Sequence, residues 1–565
     1  MRRQFRRPDT PEHSQLGSLT LVTHPAALAA ELRAQLTGPG GEFELAVDDV
    51  RGVPLPVFVH RRAALRDWPV DSAAFGSREY LVHGERRLTY AQHLTAVAGL
   101  ADHLSRELGV GPGDRVAILG ANSPDWVITL WATISLGAVA VAGNAWWTAR
   151  EAHYSLRRAR PSLVVADDRR AALLDELGVP VLPMADVPDV IAAHGSAALP
   201  DVRPEPEGPA VVVYTSGTTG QPKGAVHSHR NLLAVIEYHR YTDAMAARLA
   251  DVLGVPARAT PRRFLMSLPL FHIASLHNLV IPRLATGDTV VIDSGGFDVD
   301  RLLQLVERER ITNWAIVPTM AHRIVEHGAL DRYDLSSLAA LSINSAPSSP
   351  ALKDRVRAAV PSVQAAVVDS YGLTEGTTAA TLATPADLAL HPTSVGTAIP
   401  SVEISIRSET GELLADGEEG EIWLRSQFTM LGYWDDEVAT KAAITDDGWL
   451  RTGDLGSLRD RRLYMATRRS DLILRAGENV YPAEIEAVLE EHPAVEETAV
   501  FGVDDADLGE AVAAVVVCQG VSADELRAFA ADRLAYYKIP AHWRLTETPL
   551  PRTATGKVIR RSLVL

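Results

Sequence analysis

Apolar residues recur along this chain in two alternating patterns. Some segments of a dozen or more residues keep helical spacing, and others are short uninterrupted runs of Val, Ile, Leu and Ala. Between 88 and 109, Leu88, Leu94, Leu100, Leu104 and Leu108 hold mostly to helical spacing. Gly111-Pro112-Gly113-Asp114 breaks that period, and the run Val116 to Leu119 predicts a strand. The apolar segment Trp126 to Ala142 reads as a second helix. Runs at Leu163 to Ala166, Val290 to Ile292 and Ala315 to Val317 predict more strands, and the alternation predicts α/β layers with parallel strands buried on both faces.

The last hundred residues change character. Pro482 to Glu491 reads as a short charged helix, Val495 to Val503 and Ala511 to Cys518 read as strands, and Ser522-Ala523-Asp524-Glu525 is a capping box that opens another helix. The expected fold class is α/β, with a large N-terminal α/β unit of several subdomains and mixed sheets followed by a small C-terminal α+β domain. Residues 1–16 are expected to be a flexible tail, 17–468 the large domain and 471–565 the small one. The hinge is expected at about 469–471, where a charged stretch separates two apolar ones.

Length and charge narrow the function. A chain of 565 residues exceeds one ordinary core, since domains run roughly 100 to 200 residues each. A formal net charge of −16 argues against a nucleic-acid binder and gives no general attraction to anionic lipid, so any polyanionic substrate must be met by local positive charge. The single cysteine, Cys518, allows no internal disulfide and fits a reducing, cytoplasmic setting. No apolar stretch approaches the ~18 to 20 residues that span a bilayer, and Arg2, Arg3, Arg6 and Arg7 are not followed by the apolar run of a signal peptide.

Local positive charge stands at Tyr214-Thr215-Ser216-Gly217-Thr218-Thr219-Gly220-Gln221-Pro222-Lys223-Gly224. Gly217, Gly220 and Gly224 let backbone N–H groups approach a polyanion, while Ser216, Thr218 and Thr219 add hydroxyl donors and Lys223 adds a cation. The spacing is not that of a Walker loop, because Pro222-Lys223-Gly224 stands where Gly-Lys-Ser/Thr is required. The eleven residues resemble the phosphate-loop signature of the adenylate-forming superfamily, which contains acyl-CoA synthetases, stand-alone adenylation domains and firefly-type luciferases.

Five further segments, in the same order, resemble motifs of that superfamily. Pro269-Leu270-Phe271-His272 is similar to the segment between phosphate loop and acyl pocket, and Asp369-Ser370-Tyr371-Gly372-Leu373-Thr374-Glu375-Gly376 to the adenine and magnesium motif. Arg451-Thr452-Gly453-Asp454-Leu455 resembles the ribose motif. Arg468, Asp471 and Gly477-Glu478-Asn479 resemble the interdomain segment, and Pro551-Arg552-Thr553-Ala554-Thr555-Gly556-Lys557 the loop that carries a catalytic lysine. Several have their own rationale. Tyr371 offers an aromatic face to a purine, Thr374 a donor to the α-phosphate, Glu375 a hard oxygen for Mg²⁺, and Asp454 acceptors for ribose hydroxyls. Lys557 can place its charge between two anions as they approach, where electrostatic stabilisation is worth most.

The resemblance implies two half-reactions. A carboxylate attacks the α-phosphate of Mg-ATP to give acyl-AMP and pyrophosphate, and the thiol of coenzyme A then displaces AMP. It also implies that the small domain rotates between them. Lys557, Thr374, Glu375 and His272 are the implied catalytic residues. Thr215, Ser216, Gly217, Thr218, Thr219, Gly220, Lys223, Ser345, Ala346, Pro347, Asp369, Ser370, Tyr371, Gly372, Asp454 and Arg468 join Thr374 and Lys557 around the nucleotide. Thr218 and Glu375 are the implied metal ligands, and Ser470, Arg475, Gly477 and Glu478 mark the CoA and hinge region. Ser470 departs from the Asp or Lys usual at that pivot. His272 stands where amino-acid-activating members carry aspartate, and Asn344-Ser345-Ala346-Pro347 resembles the acyl-CoA synthetase turn, so a hydrophobic, fatty acid is favoured over an amino acid. Two alternatives remain, an acyl-AMP ligase that loads a carrier protein's phosphopantetheine and a degenerate nucleotide-binding protein without catalysis.

Overall fold

The computed structural model describes residues 25–175, 177–195, 197–215, 222–255, 261–343, 348–363, 367–468, 471–475, 478–505, 509–553 and 558–565. The expected tail 1–16 lies outside them. Two seven-stranded sheets dominate the large unit. In the first, Pro209–Thr215, Val139–Ala142, Arg115–Leu119, Leu163–Ala166 and Val181–Pro183 run parallel, and Lys223–Ser228 and then Gly432–Tyr433 extend one edge antiparallel. In the second, Val367–Val368, Ala340–Ile343, Asn313–Ile316, Arg263–Met266, Thr289–Ile292 and Glu79–His83 are parallel, with Arg86–Thr89 antiparallel at the edge.

One continuous core joins these sheets through the helices Tyr90–Arg106 and Pro124–Ser135. The second of these is buried on every side, with Asp125 paired to Arg86 and the Thr129 and Thr133 hydroxyls donating to backbone carbonyls one turn back. Its start is set locally, with Ser123 Oγ accepting the Trp126 N–H at 3.1 Å and Pro124 in the first turn. It does not run to Ala142, as its apolar content predicts. Gly137, at φ +69°, turns the chain, and Val139–Ala142 enters the first sheet instead. The run has no charged residue, and its hydroxyls Thr129, Thr133 and Ser135 are buried with the rest, so no solvent-facing stripe marked where the helix ends and the strand begins. Leu88 likewise belongs to the strand Arg86–Thr89, and Thr89 caps the helix that follows through a capping box with Gln92.

A third sheet of six strands is antiparallel throughout and carries Leu450–Arg459 beside Arg462–Arg468. Sheet membership then changes. Ile473–Arg475 belongs to a five-stranded sheet with Glu478–Val480, Val495–Asp505, Gly509–Cys518 and His542–Thr546. The helices Pro482–Leu489 and Ala523–Ala531 pack on this sheet through Ile485, Leu489, Leu526 and Ala530, with Cys518 buried among them. The capping box predicted at Ser522 is present. Among the described residues, no helix is long and apolar enough to cross a membrane.

Candidate active site

A cleft of about 4070 Å³ is bordered by the two seven-stranded sheets, the six-stranded and the five-stranded one. Thr215, Lys223, His272, Asp369, Ser370, Tyr371, Gly372, Thr374, Glu375 and Asp454 line it, whereas Arg475 does not. At one end the strands Pro209–Thr215 and Lys223–Ser228 form a hairpin whose register sets Thr215 opposite Lys223. Residues 216–221, with Ser216, Gly217, Thr218, Thr219 and Gly220, lie outside the described residues, but their two flanks are clamped side by side. Lys223 Nζ stands 5.2 Å from the centre of the Tyr433 ring, and the Tyr433 hydroxyl donates to Glu375 Oε1 at 2.7 Å. Tyr433 reaches this position because the short strand Gly432–Tyr433 pairs with Ala225 and Val226. It therefore ties the phosphate-loop lysine to the implied magnesium ligand. No motif or period in the sequence marks it.

Thr374 and Glu375 sit on a single 3₁₀ turn, Thr374–Gly376, held by the Met430 N–H donating to the Glu375 carbonyl at 2.9 Å. Just before it, Gly372 passes so near the chain that a Cβ there would stand 2.5 Å from the Thr378 carbonyl oxygen. Thr377 follows at φ +64°, fully buried, with its hydroxyl shared between His227 Nδ1 at 2.9 Å and the Phe428 carbonyl. Its own carbonyl meets His277 Nδ1 at 2.9 Å. Burial pushes His277 down to about 4 and His227 well below the ordinary range, so two neutral imidazoles brace this strained turn from beneath.

The adenine and ribose motifs meet directly. The Tyr371 hydroxyl donates to Asp454 Oδ2 at 2.8 Å, joining residues 83 apart in sequence, and the Asp454 N–H donates to Thr452 Oγ1 at 3.0 Å. Asp369 borders the same cleft and is held by Lys353, which pairs with its Oδ2, and by the Ser370 N–H, which donates to its Oδ1 at 2.8 Å. Lys353 has 4% of its side chain exposed, which makes this a buried ion pair beneath the tyrosine. No motif in the sequence marks Lys353. Ser345, Ala346 and Pro347 lie outside the described residues.

At the other end His272 caps a short helical turn, its Nδ1 accepting the Ala274 N–H at 3.3 Å. Phe264, Phe271, Ile273, Leu279 and Trp314 supply apolar wall to the same cleft. A polar strip lies alongside. Arg283 donates to His239 Nδ1 at 2.8 Å, which fixes the tautomer and leaves Nε2–H directed at Asn278 Oδ1, 3.5 Å away. The Thr378 hydroxyl donates to the same Asn278 oxygen.

The small domain closes the cleft. Arg552 and Val558 form an antiparallel bridge, and Arg552, Thr553 and Val558 border the cavity. Lys557, within 554–557, lies outside the described residues. Arg552 pairs with Glu497 at 3.0 Å, and the charge of Arg552 helps burial and Arg355 hold His322 down at about 4. Ser470 and Gly477 also lie outside the described residues, while Arg468 and Glu478 stand at strand ends on either side of the sheet change. Arg475 donates to the Tyr537 carbonyl at 2.5 Å, within the small domain.

Comparison with known proteins gives the same outline. A family model described as AMP-binding enzyme matches residues 64–434, and one described as AMP-binding enzyme C-terminal domain matches residues 484–557. A feruloyl-CoA synthase from an Amycolatopsis species is 35% identical over 505 residues, covering 88% of this chain and 98% of its own. The long-chain-fatty-acid–CoA ligase FadD13 of Mycobacterium tuberculosis is 32% identical over 491 residues, covering 84% of this chain and 92% of its own. Among solved structures, o-succinylbenzoate coenzyme A synthetase of Bacillus subtilis in complex with ATP and magnesium superposes with a TM-score of 0.74 at 30% identity, over 88% of this chain and 98% of its own. The amide bond synthetase McbA of Marinactinospora thermotolerans superposes with a TM-score of 0.76 at 32% identity, over 88% and 98%.

Proposed function

The chain belongs to the AMP-binding enzymes, and from that premise we propose that it is an acyl-CoA synthetase for a hydrophobic, fatty carboxylic acid. As an AMP-forming acid–thiol ligase it uses ATP, Mg²⁺ and coenzyme A. The observation that carries the reading is the convergence of Lys223, Tyr433 and Glu375 at one side of the cleft and Tyr371 with Asp454 at the other, with the flanks of the Lys557 loop beside them.

A substrate carboxylate oxygen forms a bond to the α-phosphorus as the bond to pyrophosphate breaks. Thr374 donates to the α-phosphate, and the hairpin ends at Thr215 and Lys223 present residues 216–221 to the departing phosphates. Tyr371 packs on adenine while its hydroxyl holds the Asp454 carboxylate in place for the ribose. The hard oxygens of Glu375 fit Mg²⁺, which when bound neutralises phosphate charge. Lys557 would supply its positive charge between the two anions, as the resemblance implies, and the thiol then attacks the acyl carbon and releases AMP.

We assign 17–468 and 471–565 as the two domains, with Ser470 as the pivot between the sheets that end at Arg468 and begin at Ile473. The apolar wall near His272 supports a hydrophobic acid, and the strip of His239, Asn278 and Thr378 limits where a polar substituent fits. A pyrophosphate-release screen across fatty, aryl and amino acids, with and without coenzyme A, tests this. Turnover highest for fatty acids and completed only with coenzyme A is expected, and preference for an amino acid or a carrier protein would overturn it. Lys557→Ala is expected to cripple acyl-AMP formation while sparing thioester formation from supplied acyl-AMP. Equal loss in both half-reactions would remove Lys557 from the assigned role.

A further inference from the structure

Outside the cleft, near the C-terminal end of the helix Tyr90–Arg106, two histidines and a glutamate converge from separate elements. His103 lies in the last turn of that helix, Glu107 is its C-cap, and His194 is the C-cap of the helix Val187–Ala193. One ligand atom from each can be chosen so that all three lie within 4.8 Å of one another. His103 Nδ1 is 3.4 Å from Glu107 Oε2, and His194 Nε2 is 3.2 Å from Glu107 Oε1. Ligand atoms around a tetrahedral Zn²⁺ with bonds of about 2.0–2.1 Å stand roughly 3.3 Å apart, so both distances suit a shared ion.

The hydrogen bonding points the same way. His194 Nδ1 is 3.0 Å from Asp102 Oδ2, and Arg106 holds the other Asp102 oxygen at 2.8 Å. That carboxylate orients the imidazole and leaves Nε2 directed at Glu107 Oε1, 3.2 Å away. His103 Nδ1 is buried and makes no hydrogen bond among the described residues. Its ring lies 5.3 Å from that of His194, close enough for one metal ion to meet both imidazoles and the carboxylate. Carboxylate support of a ligating imidazole is the usual way such ligands are oriented.

The site is also rigid and electrostatically suited to a cation. Two helix C-termini meet there, each carrying partial negative charge. Gly99 lets the second helix rest on the first, since a Cβ at Gly99 would stand 3.2 Å from the His194 carbonyl oxygen. Glu107 is 56% exposed at its side chain, which leaves water access to a fourth position. We propose that His103, Glu107 and His194 bind one divalent transition-metal ion of the Zn²⁺ class, with Asp102 as the positioning carboxylate, and that the ion clips the helix Val187–Ala193 to the helix Tyr90–Arg106. None of these residues lines the catalytic cleft.

Titration of untagged, chelator-stripped full-length protein with Zn²⁺ against a chromophoric indicator is expected to give one ion per chain and a raised melting temperature. His103→Ala and His194→Ala are each expected to lower affinity by roughly 100-fold or more, and Asp102→Asn by about 10–100-fold. All three should retain native circular dichroism and Mg²⁺-dependent pyrophosphate release. Co²⁺ in place of Zn²⁺ should give visible bands of low-symmetry coordination in the unsubstituted protein, a readout independent of the variants. Failure of the folded protein to bind stoichiometric Zn²⁺ would overturn the proposal. Undiminished affinity in the double variant His103→Ala/His194→Ala would overturn it as well.

Discussion

Tyr433 shows how one side chain outside every motif can organise a site. Its ring faces Lys223 and its hydroxyl holds Glu375, so the phosphate hairpin and the magnesium carboxylate share a single support. Tyr433→Phe keeps the ring and deletes the hydroxyl. A hydrogen bond to a charged group is worth about 1.5–3 kcal/mol, so acyl-AMP formation should fall roughly 10- to 100-fold with little change in melting temperature, as read by pyrophosphate release. Lys353 makes the opposite forecast. Its removal in Lys353→Met leaves Asp369 buried without its cation, a change that costs about 3–5 kcal/mol, measurable by chemical denaturation. Sequence alone assigned Asp369 to the nucleotide because its motif neighbours are there. Its partner could be found only where the helix Pro350–Ala359 lies against the strand that precedes Asp369.

At the scale of elements, the short tracts of the site depend on backbone approach more than on propensity. The turn from Gly372 to Thr378 folds back so that Gly372 and Ala379 form a bridge, and a Cβ at 372 would meet backbone rather than a side chain that could yield. Gly372→Ala is therefore expected to destabilise by roughly 1–3 kcal/mol and to weaken ATP binding together with melting temperature. ATP affinity unchanged by calorimetry would show that the turn absorbs the methyl. The C-terminal strands, the capping box at Ser522 and the strands at 116–119 and 163–166 were legible because charged or glycine boundaries framed them. The segment from Trp126 to Ala142 was not, because its hydroxyls Thr129, Thr133 and Ser135 are buried with the rest and mark no solvent face, and the change from helix to strand at Gly137 is imposed by a vacancy in the sheet between Arg115–Leu119 and Pro209–Thr215.

At the scale of the molecule, a carboxyl between the two units predicts a pH dependence of their arrangement. Glu490, the C-cap of the helix Pro482–Leu489, borders the cleft with Ser349 of the large unit, whose hydroxyl favours its charged form. Burial first, and then the Glu486 carboxylate, raises it from 4.5 to about 7. A raised carboxyl favours the protonated form in the docked arrangement, so docking is strongest below pH about 4.5 and weakens as pH rises through about 7. Glu490→Gln should remove that dependence and shift the balance toward acyl-AMP formation at pH 8, as seen in the ratio of the two half-reaction rates. A pH profile identical to that of the unsubstituted enzyme would exclude the coupling.

The sequence by itself determined the chemistry, because phosphate, ribose and lysine motifs are local strings whose glycines, hydroxyls and charges are needed at fixed spacing whatever surrounds them. It also determined the order of layers, since hydrophobic period is a local property. Only the tertiary structure decided which strings face one another: Tyr371 with Asp454, Glu375 with Tyr433, Asp369 with Lys353, and His103 with His194. These pairs lie from 16 to 91 residues apart, and nothing in the chain between them records the distance in space, which is set by how sheets and helices exclude water together.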